Sequence, residues 1–245
     1  MNVLRSSLSS PVLFRGSGVP PYRTPASNYD GTNDNALRGG DLTGAADGSA
    51  FTFSCWFEPN ATGTEMQIID ATNTVFFMRH DTSNRLDFFV KNTIGTIVGR
   101  RITTDTYTSG FHHVVVSSSG SNLLMYVDGA VPAFDSSTTP SGETFDLTAT
   151  EWGIGGRTSA LNRWNGCLSE IYYNDEFVDV SDPANLRKFI APNGQPARMG
   201  DSGTYPTGTA PLIYAPDGDP SDNKGTGGNF TITGALTTCA NKPGL

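Results

Sequence analysis

Phe51, Phe53, Cys55 and Phe57 are separated by Thr52, Ser54 and Trp56. A period of two sets one apolar face on an extended strand. Similar short runs recur at Met66–Asp70, Thr74–Arg79, Arg85–Lys91, Ile94–Arg100, Phe111–Ser118, Asn122–Asp128, Trp152–Gly155 and Cys167–Tyr173, with turn residues between them. Closely spaced strands broken by turn chemistry predict an antiparallel sandwich or barrel. Asp128-Gly129, after a Leu-Leu-Met-Tyr-Val run, is a two-residue hairpin signal, and Asn92-Thr93 is a weaker one. One helix is predicted. Asp182 caps it, Pro183 takes the first helical position, and Ala184–Ile190 continues to the break at Pro192–Gly194. Leu186, Phe189 and Ile190 share one face, enough to pack it on a sheet. From Asn193 to Gly228 the chain is rich in Gly and Pro, with short strands expected at Leu212–Ala215 and Asn229–Thr233.

Residues 1–27 break this pattern. They hold Arg5, Arg15 and Arg23, no acid, and prolines at 11, 20, 21 and 25. No apolar period holds there, so the segment reads as an extended arm rather than a second core. Three parts follow: the arm at 1–27, a β-sandwich at 28–181, and a helix with a C-terminal extension at 182–245 that packs on or completes the sandwich. Val12, Leu13 and Phe14 are the arm's apolar plugs. Arg5, Arg15 and Arg23 are its contacts to an acidic neighbour.

Composition narrows the function classes. The 245 residues are 36% hydrophobic and 10% aromatic, enough for a sizeable core. No apolar run is long enough to span a membrane. The net charge of -8 argues against nucleic-acid binding, which needs clustered Lys and Arg. Cys55, Cys167 and Cys239 are widely spaced and lack metal-ligand spacing. The expectation is buried free thiols with no disulfide, in a protein made in a reducing cytosol. The opening MNVLRSSLSSPVLFRG has no apolar stretch of the kind a signal peptide carries.

Three segments in order resemble the laminin-G-like, or concanavalin A-like, jelly roll. They are YDGTNDNAL at Tyr29–Leu37, FTFSCWFEP at Phe51–Pro59, and FHHVVVSSSGSNLLMYVDGA at Phe111–Ala130. IGGR at Ile154–Arg157 and NGCLSEIYYND at Asn165–Asp175 are similar to that fold's closing strands. The resemblance implies an all-β, antiparallel jelly-roll sandwich with one short helix. DPANLRKFI, GTYPTGTAPLIY and NKGTGGNFTITGAL are similar to the C-terminal part of jelly-roll proteins of tailed bacteriophages. That implies a virion accessory protein, a capsid decoration or fibre-like appendage made in the host cytoplasm. Its partners would be other capsid or tail proteins and further copies of itself. The alternative is a glycan-binding, receptor-recognition module on the same particle.

The chemistry in the sequence favours binding over catalysis. Glycoside hydrolysis needs two carboxylates flanking the bond. Glu170-Ile171-Tyr172 puts a tyrosine where a strand would supply the second acid, and Asp175, Glu176 and Asp179 follow the strand. No enzyme activity is expected. His112 and His113, adjacent on a strand, must face opposite ways and cannot chelate one metal. No cofactor is expected; calcium is the one to test, because many laminin-G-like domains bind it. Its candidate ligands are Asp30 and Asn33, with Asp34 and Asn35, and Asp217, Asp219 and Asp222, with Asn223. The ordinary role of such residues is turn formation. For a glycan, Trp164 flanked by Asn162, Arg163 and Asn165 offers an aromatic platform beside hydrogen-bonding groups. Tyr107 and Tyr205 are further aromatic candidates.

Overall fold

The structure, a computed structural model, describes residues 22, 24–157 and 161–244. In chain order its strands are β1 (Ser27–Asp30), β2 (Asn35–Arg38), β3 (Phe51–Pro59), β4 (Met66–Ala71), β5 (Phe76–His80), β6 (Leu86–Lys91) and β7 (Ile97–Thr103). There follow β8 (His112–Ser118), β9 (Leu124–Val127), β10 (Phe134–Thr138), β11 (Trp152–Ile154), β12 (Asn165–Asn174), helix α1 (Pro183–Leu186), β13 (Ile213–Ala215), β14 (Thr231–Thr233) and β15 (Thr237–Thr238). They form two antiparallel sheets. The first is ordered β15-β1-β12-β3-β8-β9, with β13 also on β12; the second is β10-β7-β6-β5-β4-β11-β2-β14.

The period of two in β3 has the expected consequence inside. Phe51, Phe53, Cys55 and Phe57 join Val114, Val116, Leu168 and Tyr173 from the first sheet. Across from them lie Phe76, Met78, Phe88 and Trp152 of the second. Phe76 is central to this layer, with ring centroids 5.2 Å from Phe51, 5.3 Å from Phe88 and 5.1 Å from Tyr173. The outer face of β3 is not solvent. All nine of its residues are buried, because Val178, Val180, Leu186, Phe189, Ile190 and Met199 pack over Trp56, Val115 and Tyr172. Two of the polar groups trapped there are paired: His113 Nε2 meets Ser54 Oγ at 2.8 Å, and Ser117 Oγ donates to the Val178 carbonyl at 2.7 Å.

The helix starts as its sequence predicts, with Asp182 accepting from the Ala184 N–H at 2.9 Å and Pro183 in the first turn. It is shorter than expected and ends at Leu186. Turn-type bonds carry the chain on, and Ile190 bridges Pro196, which keeps Phe189 and Ile190 against the sheet. Asp128-Gly129 makes the two-residue turn, both residues at positive φ, between Val127 and Ala130. The chain then leaves for the second sheet, so β9 and β10 do not pair.

Segments near both ends of the described chain enter the sandwich. β13 flanks β12, β14 pairs β2, and β15 pairs β1. Tyr22, Thr24 and Ala26 already pack on the body before β1 begins. Arg5, Val12, Leu13, Phe14, Arg15 and Arg23 lie outside the described residues.

One expectation fails outright. Cys167 and Cys239 form a disulfide, with Cα atoms 6.1 Å apart across 72 residues of sequence. Cys167 faces outward from β12, opposite in parity to the core residue Leu168, and meets Cys239 in a small cluster with Ala26. The Cys239 N–H donates to the Ala26 carbonyl at 2.9 Å, which brings the two thiols together. Cys55 remains a buried free thiol.

Candidate functional site

The residues singled out from sequence are dispersed. Trp164 is 0% exposed and packs edge-on against Phe57 inside the core, so it cannot serve as an exposed sugar platform. Parity explains this: it lies an even number of positions before the inward-facing Leu168. Asn162, Arg163 and Asn165 do share a hollow of about 310 Å³ with Gly31, Glu65 and Met66. Asn162 Nδ2 bonds Glu65, which also pairs with Arg79, and no aromatic ring lines this hollow. Tyr107 is buried and Tyr205 is exposed.

The acid clusters are committed to turns. Asp30 Oδ1 accepts the N–H groups of Thr32 and Asn33 at 2.7 and 3.0 Å, which with that of Asp34 hold its carboxyl below the usual range. Asp34 takes the Asp30 and Ala235 N–H groups. Asn33 and the buried Asn35 complete this first cluster in sequence. Asp217 accepts from Asp219 N–H, Asp219 caps the 3-10 turn at Pro220–Asp222, and Asp222 pairs with Lys224. Asn223 ties Tyr214, Leu212, Gly225 and Gly228 together. Among the described residues no three His, Cys, Asp or Glu side chains converge on a metal position.

Glu170 sits at a bulge where the flank of β12 passes from β1 to β13. Its φ is +48°, its N–H donates to the Pro216 carbonyl, and its side chain is 0% exposed. The Tyr22 and Tyr214 hydroxyls reach its two oxygens at 3.0 and 3.1 Å. Burial, helped by Asp217 and opposed by the tyrosine hydrogen bonds, pushes its pKa up to about 8. It is closed to any substrate.

A larger hollow lies elsewhere, on the outer face of the first sheet. It measures about 440 Å³ and is lined by Trp56 and Glu58 of β3, Phe111 before β8, Asp128 in the turn after β9, Ile190, and Asn241 and Lys242 of the C-terminal tail. Strand pairing positions its base: Trp56 stands opposite His113, and Phe57 opposite His112. The two histidines face opposite ways, as adjacent strand residues must. His113 stacks under Trp56 with centroids 5.1 Å apart, while His112 packs near Phe57 and Tyr107.

The charges of this cleft have distinct environments. Asp128 Oδ2 meets His112 Nδ1 at 2.7 Å and its Oδ1 accepts the His113 N–H at 2.8 Å. Burial works to raise the Asp128 pKa, but these two contacts prevail and lower it. For His112 burial works downward, and the Asp128 contact prevails and raises its pKa. Burial drives the His113 ring down to about 3, against the opposing charge of Asp128. Glu58 Oε1 accepts Asn241 Nδ2 at 3.0 Å, and Phe111 stays partly exposed. Trp56 is 3% exposed, and its Nε1–H has no partner among the described residues. The cleft therefore offers aromatic surface beside carboxylate, amide and ammonium groups. Sequence reasoning missed it because its residues come from segments far apart in the chain.

The family profile described as the concanavalin A-like lectin/glucanases superfamily matches residues 30–176. No functionally curated protein matches the chain. A Bacteroides ovatus protein provisionally named as carbohydrate binding superposes with a TM-score of 0.62 at 15% identity. The match covers 90% of this chain and 60% of that one, so this chain spans little more than half of that protein. A heptameric SAP-like pentraxin from Limulus polyphemus gives a TM-score of 0.55 at 12% identity, over 88% of this chain and 94% of the pentraxin.

Proposed function

The chain belongs to the concanavalin A-like lectin/glucanases superfamily, and from that premise we propose that it is a carbohydrate-binding protein that holds its ligand in the Trp56–Phe111 cleft without cleaving it. One observation carries the reading: two aromatic rings, two carboxylates, an amide and an ammonium line a single cleft of about 440 Å³. Sugar recognition needs an apolar ring face for the C–H side of the pyranose and convergent polar groups for its hydroxyls. Binding rather than hydrolysis follows from the acids. A glycosidase needs one carboxyl with a raised pKa to protonate the leaving oxygen. Asp128 is held the other way by His112, and Glu58 is bonded to the tail. The fold likeness to the Bacteroides ovatus protein agrees with this. A glycan array with wild type, Phe111→Ala and Glu58→Gln tests it, with and without chelator. The expected outcome is chelator-independent binding that both variants lose while remaining folded. An array without hits, or hits that both variants retain, overturns the reading.

For the biological setting we propose a tailed-phage particle, on which the protein is a capsid decoration or fibre-like appendage present in several copies. The support is the sequence resemblance of residues 182–245 and the contrast between a basic first segment and an acidic remainder. Deleting residues 1–21 is expected to abolish incorporation into particles and to leave glycan binding intact. Normal incorporation of the truncated chain, seen by particle imaging, would refute the anchoring role.

A further inference from the structure

The Trp56–Phe111 cleft shares a wall with a second hollow. Glu58 and Asn241 line both, joined by their hydrogen bond. Beyond that pair the second hollow, about 260 Å³, is lined by Asn28, Asn60, Thr237, Thr238 and the Cys167–Cys239 disulfide. The two differ in chemistry. The first has aromatic surface and charge; the second has uncharged amides and hydroxyls, with Asn28 Nδ2 reaching Thr237 Oγ1 at 3.5 Å. Drug-sized ligands occupy roughly 300–1,000 Å³. The first hollow lies near the bottom of that range, and the joined pair extends well into it.

The far wall of both hollows is the C-terminal tail. Strand β15, which leads into it, is two exposed residues long and pairs with β1. Tail contacts comprise the disulfide at Cys239, the Cys239 N–H to Ala26 carbonyl bond, Asn241 on Glu58, and Gln195 Nε2 on the Gly244 carbonyl. Of these only the first is covalent, and it sits at the border between β15 and the cleft-lining residues.

Resting on the carbohydrate reading above, we propose that the two hollows are consecutive subsites for one linear, uncharged oligosaccharide that crosses the Glu58–Asn241 pair. The aromatic subsite takes one ring by its C–H face. The amide and hydroxyl subsite takes the next by its hydroxyls. The Cys167–Cys239 bond, in the wall of the second subsite, is a positioning element that acts through Asn241 and Lys242.

Calorimetric titration of the full chain with neutral chain-length series drawn from the array tests this, each running from the monosaccharide to the tetrasaccharide. Affinity is expected to rise about tenfold or more on adding the second ring, a gain of roughly 1.4 kcal/mol. Asn60→Ala combined with Thr237→Ala should erase that gain. Cys167→Ser with Cys239→Ser should weaken every member of the series at a temperature where the variant is folded. A flat series still abolished by Phe111→Ala overturns the two-subsite inference and leaves the carbohydrate reading standing. Equal loss of mono- and oligosaccharide in the Asn60/Thr237 variant also overturns it. Binding by no neutral series overturns both.

Discussion

Replacing Glu170 by Gln should change how stability depends on pH. The fold holds this carboxyl between Tyr22 and Tyr214, away from water, with a pKa near 8 against an ordinary 4.5. Between those values the folded state keeps a proton that the unfolded chain has released. Stability therefore falls as pH rises, because the unfolded state binds fewer protons. The contribution is fully present below about pH 4.5 and is lost as pH passes through about 8. At about 1.4 kcal/mol per tenfold change, the span is at most roughly 5 kcal/mol. His113 acts in the opposite sense: its buried neutral ring stabilises above about 6.5, and that contribution is lost as pH falls toward about 3. Subtracting the variant's curve from the wild type's isolates Glu170, since the introduced amide mimics the protonated acid and leaves His113 in place. Urea denaturation at about pH 5, 6.5 and 8.5 supplies both curves, each change in midpoint converted through the slope. The expected difference is small at the lowest pH and favours the variant by several kcal/mol at the highest. A difference that stays constant across the three values would refute the reasoning.

Other outcomes follow from the same architecture. Peptide mapping without reductant should yield a Cys167–Cys239 linked pair, with Cys55 alkylated only after denaturation; unlinked peptides would contradict the fold. Breaking that bond by Cys→Ser at both positions should cost about 4 kcal/mol for a closed loop of 72 residues, measured by denaturation. Phe76→Ala removes the ring shared by Phe51, Phe88 and Tyr173 and should cost about 3–5 kcal/mol by the same measurement. Incubation with β-glucans or host surface glycans should release no reducing sugar; release that disappears in Glu58→Gln would overturn the non-catalytic reading.

Much of the sandwich was legible in the alternation of apolar residues. β3, β4, β6, β8 and β12 lie where the pattern places them, because their inner faces are continuous rows of large side chains. β10 and β15 were not legible. Phe134–Thr138 has one apolar residue, Thr237–Thr238 has none, and both are edge strands made by pairing rather than burial. The outer face of β3 misled in a different way. Thr52 and Ser54 look solvent-facing, yet their cover comes from residues 176–199, far along the chain. Trp164 and Cys167 were readable in principle. Extending the parity of Leu168 backward puts the tryptophan inside and the cysteine outside. The proposed cleft had no local signature, since Phe111, Glu58 and Lys242 meet only after the sheets are built.

The pairing of β1 with β15 and β2 with β14 sets an order on synthesis. β1 and β2 receive their outer neighbours from a stretch translated long after them. Until residues 231–238 leave the ribosome, each sheet presents a row of unsatisfied backbone donors and acceptors along a strand that is already complete. Such open edges invite pairing with other nascent chains. The nascent protein cannot mature segment by segment: sheet closure and cystine formation both await the arrival of residues 231–239.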